Sequence, residues 1–127
     1  MKIHHIAMYV RSLERSLQFY KTYFGGTAGE RYCNPNTGLQ TYFLTFADGA
    51  RLELMHRPQC TEEGRGAFAY GLAHLAFSTG SCEAVDALTA RLAADGFTIA
   101  GEPRTTGDGY YESIILDPDG NRVEITV

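Results

Sequence analysis

Two histidines and two glutamates are the residues of this chain whose types and spacing best suit chemistry: His5, Glu53, His74 and Glu124. His5 and His74 are 69 positions apart, and Glu53 and Glu124 are 71 apart. The turn-like pairs Asp48-Gly49 and Asp119-Gly120 are also separated by 71. Neutral imidazole nitrogens and carboxylate oxygens together suit borderline or hard divalent ions such as Ni, Zn, Mn, Co or Fe, whereas a thiolate-free set argues against Cu(I) and iron–sulfur clusters. Four such donors on one side of an octahedral ion leave two positions for water or substrate, which is a catalytic site in outline. Taken singly, a strand histidine is more often an ordinary hydrogen-bonded group than a ligand, and a strand glutamate is usually solvated. The symmetric recurrence of all four is what favours a metal. His4, on the helix side of its strand, and His56, just beyond the strand-like run Arg51–Met55, are assigned to no ion.

Elements placed symmetrically must carry such a set. Residues 3–10 read as a strand, and Ser12 is placed to cap a helix whose apolar residues Leu13, Leu17, Tyr20 and Phe24 recur at helical spacing before Gly25-Gly26 ends it. Strand-like runs at Thr41–Phe46 and Arg51–Met55 flank the turn Ala47-Asp48-Gly49. A polar stretch at 59–66 reads as a linker between modules at about 1–58 and 67–127 of a single domain. The order then recurs as strand Leu72–Ser78, helix Cys82–Ala94 with Val85, Leu88 and Leu92 on one side, a stop at Gly96, and a short strand near Phe97–Ala100. Strands Tyr111–Leu116 and Arg122–Thr126 follow around Asp117-Pro118-Asp119-Gly120. Successive side chains of a strand point to opposite faces. Parity therefore sets His5, Glu53, His74 and Glu124 opposite the apolar residues of their strands, on the face left open when the apolar faces pack beneath the helices. An ionised glutamate on an inner face costs several kcal/mol unless it is paired or bound to a cation.

The chain has 127 residues, 44% hydrophobic and 20% charged, which is the profile of an ordinary globular domain. Its net charge of −4, with no basic cluster, argues against nucleic-acid binding. Cys33, Cys60 and Cys82 are odd in number and far apart, so neither a disulfide framework nor a thiolate zinc site is suggested. Reduced thiols and a cytoplasmic setting are expected, with no signal-peptide block and no membrane-length apolar run.

The opening His5-Ile6-Ala7-Met8-Tyr9-Val10, the run Leu13–Tyr20, the Leu52-Glu53-Leu54 strand, Gly71–Phe77 and the ending Asp117–Ile125 together resemble the vicinal oxygen chelate superfamily over nearly the whole chain. The resemblance implies an α+β fold of two βαβββ modules curling a mixed sheet around a metal, often completed as a homodimer. Its members isomerise, epimerise, oxygenate or transfer thiols. Within it, the His, Glu, His, Glu set is most similar to glyoxalase I, the lactoylglutathione lyase. The epimerases usually carry Gln where Glu53 stands, and the extradiol dioxygenases and fosfomycin-modifying enzymes use two His and one Glu.

A lyase of that type converts the hemithioacetal of a 2-oxoaldehyde such as methylglyoxal and a thiol, shifting a proton between adjacent carbons through an enediolate. Glu124 is then the expected base and Glu53 its symmetric counterpart. Relatives that use glutathione tend to place an arginine where Tyr9 stands, so Tyr9, Arg57 after the run Arg51–Met55, Arg104 in the loop 101–109 and Tyr111 are the candidate substrate contacts. The segment Thr105–Ser113 is expected as a loop over the pocket, with Tyr110 or Tyr111 lining it. The alternatives are another reaction of the superfamily, such as thiol transfer to an antibiotic or epimerisation, and a non-catalytic protein that sequesters a small ligand or drug.

Overall fold

A computed structural model describes residues 3–62 and 70–127, and the chain divides into two compact units, residues 1–63 and 64–127. The expected linker 59–66 spans that boundary, and its residues 63–66 lie outside the described residues.

In the first unit, β1 (Ile6–Tyr9) leads into α1 (Leu13–Phe24), whose N-terminus is capped by the Ser12 hydroxyl accepting from Arg15 N–H at 3.3 Å. The helix ends where Gly25 enters the left-handed region at φ 68°, a conformation a side chain disfavours, and the Gly26 N–H closes on Tyr20 O at 3.2 Å. The buried face is Leu13, Ser16, Leu17, Phe19 and Tyr20. Phe24, expected in that stripe, is only half-buried, and Phe19 takes the inner place, its ring 5.0 Å from that of Tyr20.

Two short strands not foreseen in the sequence, β2 (Thr27–Ala28) and β3 (Tyr32–Cys33), precede β4 (Gln40–Thr45) and β5 (Arg51–His56). The sheet order is β1-β5-β4-β2, with β3 also pairing β4. The β1–β5 pair is parallel and the β4–β5 pair antiparallel, so the sheet is mixed. Leu52, Leu54 and Leu44 fill the core on the helix side, each 3% exposed or less.

The second unit repeats the plan with β6 (Leu75–Ser78), α2 (Cys82–Ala94), β7 (Ile99–Thr105), β8 (Tyr111–Leu116) and β9 (Arg122–Thr126) in the order β6-β9-β8-β7. Ser81 caps α2 by accepting from Ala84 N–H at 3.2 Å. Thr89 rather than Leu88 is the buried residue of the helix's middle turn, and its hydroxyl reaches Ser113 Oγ at 2.6 Å. Strand β6 starts at Leu75 rather than Leu72, which is exposed. The larger correction concerns β7, which runs through residues 101–105, expected as loop. Pro103 is tolerated there because β7 is an edge strand, and the β7–β8 register shifts between Gly101 and Arg104.

Candidate metal centre

Register gives the two units the same local geometry. In the parallel β1–β5 pair Ala7 stands beside Glu53, and in the parallel β6–β9 pair Ala76 stands beside Glu124. In each case a histidine lies two residues before the alanine, immediately ahead of the strand. His5 Nε2 is 3.7 Å from Glu53 Oε2, and His74 Nε2 is 3.5 Å from Glu124 Oε2. Both glutamate side chains are 16% exposed, against 36% for His5 and 45% for His74. Each carboxylate is thus mostly withdrawn from water beside an accessible imidazole.

The donor set fits a divalent ion. Two atoms bound to one ion at about 2.1 Å lie no more than about 4.2 Å apart, a limit both pairs satisfy. The pairs are also too long for a tight direct hydrogen bond, so neither histidine is committed to its glutamate. Among the described residues, no group of three or more His, Cys, Asp or Glu side chains is gathered for a metal, so each unit by itself presents two donors.

The surroundings of the two pairs differ. Phe43 on β4 is the register partner of Glu53; its ring packs edge-on against His5 at 5.3 Å, and the Arg51 guanidinium sits 4.1 Å over it. His4 is not on the helix side as parity suggested. It precedes β1, so strand alternation does not govern it, and its Nδ1 lies 2.8 Å from His5 Nδ1. His56 is held by the main chain, its Nδ1–H donating to Val10 O at 2.9 Å.

Around Glu124 the environment is acidic. Its register partner on β8 is Ile114, and the next residue of β8 on that face, Glu112, is buried. Burial first, and then the charge of Glu112, raise the Glu124 pKa above the usual carboxylate range, while His74 acts to lower it. Glu112 carries no repeat signal in the sequence, because its counterpart in the first module is Thr41. Counting back by twos from Ile114, the residue opposite Glu124 across the Asp117–Gly120 turn, would have found it.

Of the candidate substrate residues, Tyr9 lies on the exposed face of β1 with Ala7. Arg57 follows β5, and its Nε is buried without a hydrogen-bond partner among the described residues. Arg104 belongs to β7, where its Nη2 meets Glu112 Oε1 at 3.4 Å. Tyr111 lies one residue out of phase with Glu112, and its hydroxyl donates to Asp86 Oδ1 of α2 at 2.7 Å. That bond pushes the phenol up to about 12 and ties the side chain to the helix rather than to the face that carries Glu124. Tyr110 is exposed.

Comparison with known proteins agrees with this architecture. The family model for the Glyoxalase/Bleomycin resistance protein/Dioxygenase superfamily matches residues 2–125. An uncharacterized protein of Bacillus subtilis, YqjT, is 29% identical over 133 residues, covering 97% of this chain and 96% of its own length. A glyoxalase/bleomycin resistance protein/dioxygenase domain from Frankia superposes with a TM-score of 0.84 at 20% identity, covering 100% of this chain and 97% of its own. The trypanothione-dependent glyoxalase I of Leishmania major gives a TM-score of 0.78 at 24% identity, covering 99% and 86%. At these identities the two structures show a shared fold. Motifs, strand register and family match agree that this chain belongs to the Glyoxalase/Bleomycin resistance protein/Dioxygenase superfamily.

Proposed function

We propose that this protein is a metal-dependent lyase or isomerase of the glyoxalase I type, acting on the hemithioacetal of a 2-oxoaldehyde and a thiol. The observation that carries the reading is the repetition of one histidine–glutamate pair at the same register in both modules, at 3.7 Å and 3.5 Å. Members of the superfamily commonly bind a divalent metal. Here His5, Glu53, His74 and Glu124 form the proposed ligand set, one ion per chain, and the Leishmania major neighbour lends the glyoxalase type its support.

The ion, when bound, supplies Lewis-acid stabilisation of the oxygen on which charge develops. The protein's own groups do the rest. Glu124 takes the proton from one substrate carbon and returns it to the next, a task suited to a carboxyl whose pKa its surroundings lift. Glu53, next to the aromatic ring of Phe43, is the symmetric counterpart. Arg57, with a buried Nε free of any partner among the described residues, is the proposed contact for an anionic group of the thiol, and Tyr9 borders the open face of β1. A homodimer in the cytoplasm, detoxifying methylglyoxal with a thiol cosubstrate, completes the reading.

The test is turnover of methylglyoxal with a panel of thiols, alongside metal analysis of the purified protein. Glu124→Gln is expected to reduce kcat by at least about a hundredfold while keeping much of the metal, since general acid–base catalysis contributes about 10²–10⁴. Unchanged turnover in that variant would remove Glu124 from the chemistry. A wild-type protein that binds a small ligand but neither metal nor hemithioacetal would replace the lyase reading with sequestration.

A further inference from the structure

Along β5 the side chains alternate between core and open face: Leu52 and Leu54 are buried, while Arg51, Glu53 and Met55 share the other side and are half-buried. Arg51 therefore stands two residues from the proposed ligand Glu53, on the same face. The antiparallel β4–β5 pair sets Phe43 opposite Glu53 and Thr45 opposite Arg51, so Phe43 is the diagonal neighbour that a long side chain can reach. The Arg51 guanidinium lies 4.1 Å over the face of that ring, and the same ring meets His5 at 5.3 Å. One aromatic ring thus holds a positive charge beside the His5–Glu53 pair.

That charge has no acid to answer it. Arg11, Arg31, Arg91 and Arg104 each meet a carboxylate, whereas Arg51 has none among the described residues, although Glu53 is on its own face. The hydrogen-bonding neighbour it has there is His4 Nε2, 3.5 Å from Nη1, which leaves most of its five N–H donors open. A guanidinium at this place repels a divalent ion in the neighbouring pair, a cost that becomes a gain when an anion lies between the two. Its forked donors suit a carboxylate or a similar oxyanion. An arginine recurs two residues ahead of Glu124, as Arg122, but the counterpart of Phe43 is Ile114, so the second unit lacks the ring on which the first seats its cation. Arg57, four residues beyond Glu53, is about 13 Å from it along an extended chain and so meets a different part of any ligand.

We propose that Arg51, seated on Phe43, is an anion-binding residue that takes a negatively charged oxygen of the ligand held at the His5–Glu53 pair, and so selects ligands that carry charge at that point. In a stable molecule the matching group is a carboxylate with a neighbouring hydroxyl or carbonyl oxygen, as in the 2-hydroxy- and 2-oxocarboxylates. In the proposed lyase reaction it is the oxygen on which charge develops. The inference rests on the metal reading above and deepens it by naming the charge of the ligand.

The experiment titrates the full chain calorimetrically with Zn²⁺, and with glycolate in the presence and absence of Zn²⁺, taking the uncharged glycolamide as the control of the same shape. The Zn²⁺-loaded parent is expected to bind glycolate about tenfold or more tighter than glycolamide. In Arg51→Met, which keeps an unbranched stem against Phe43, glycolate affinity is expected to fall about tenfold or more and glycolamide to stay within about threefold. Zn²⁺ affinity without glycolate is expected to equal the parent's or exceed it, because a repelling charge has gone. By linkage, the factor by which glycolate strengthens Zn²⁺ binding shrinks in the variant to the same degree. Unchanged glycolate affinity in Arg51→Met, a loss that glycolamide shares equally, or a parent that binds both probes alike would overturn the proposal. Should that variant not fold, Arg51→Gln is read by the same criteria. If the parent takes up no Zn²⁺ the metal reading fails on its own. A preference for glycolate that Arg51→Met abolishes then still upholds the anion seat, and the lack of one removes it.

Discussion

Glu124 is pulled in two directions. Burial and the neighbouring charge of Glu112 disfavour its ionised form, and His74 favours it, with the net result a raised pKa. In the unfolded chain the same carboxyl ionises near the ordinary value of 4.5. As pH rises past that value the unfolded chain gives up this proton first, so over that window the folded state binds more protons than the unfolded one. Stability of the metal-free protein should therefore be highest, as far as this group is concerned, below the ordinary carboxyl range, and fall as pH rises through the raised value. Glu124→Gln should flatten that part of the profile, which denaturant titrations of the metal-free protein from about pH 4 to 7 would read. A divalent ion reverses the preference, because a carboxylate must be deprotonated to ligate.

The Asp117–Gly120 turn illustrates how an element sets a site. Asp117 Oδ1 accepts from Asp119 N–H at 2.9 Å and Asn121 N–H at 2.8 Å, and Oδ2 accepts from the Asn121 side-chain amide at 2.9 Å, all around a carboxyl that is 4% exposed. These bonds set Leu116 opposite Arg122, and so Ile114 opposite Glu124. A one-residue slip would turn Glu124 to the helix side. Asp117→Ala leaves buried donors unpaired and should cost about 1–3 kcal/mol in denaturant unfolding. In the first unit the exposed Asp48, which accepts from Ala50 N–H at 2.9 Å, does a lighter version of the same work. Asp48→Ala should cost no more than about 1 kcal/mol, because water can replace the lost acceptor.

At the scale of the molecule, each unit has its own helix, its own mixed sheet and its own histidine–glutamate pair. No helix among the described residues is long and apolar enough to cross a membrane. A metal that binds the folded chain and not the unfolded one stabilises it by mass action. Free metal at about a hundred times its dissociation constant should add about 2.7 kcal/mol to unfolding, and a chelator should remove that increment. In His74→Ala the increment should shrink, measured by denaturant titration with and without metal.

Much of this was legible in the residues alone, for physical reasons that act locally. Alternation in Arg51–Met55 and Arg122–Thr126 assigned Glu53 and Glu124 to one face, Ser12 and Ser81 marked the helix starts, and the Asp-Gly steps marked the turns, because each depends only on neighbours a few positions away. The histidines and glutamates that pair in space were likewise found by their recurrence. What only the tertiary structure decided was which side chains meet across strands. The extension of β7 through Pro103, the turning of Tyr111 to Asp86, and the pairing of Arg104 with Glu112 all depend on edge position, register and backbone space. Pairwise contacts of that kind join residues far apart in the chain, and no local periodicity encodes them.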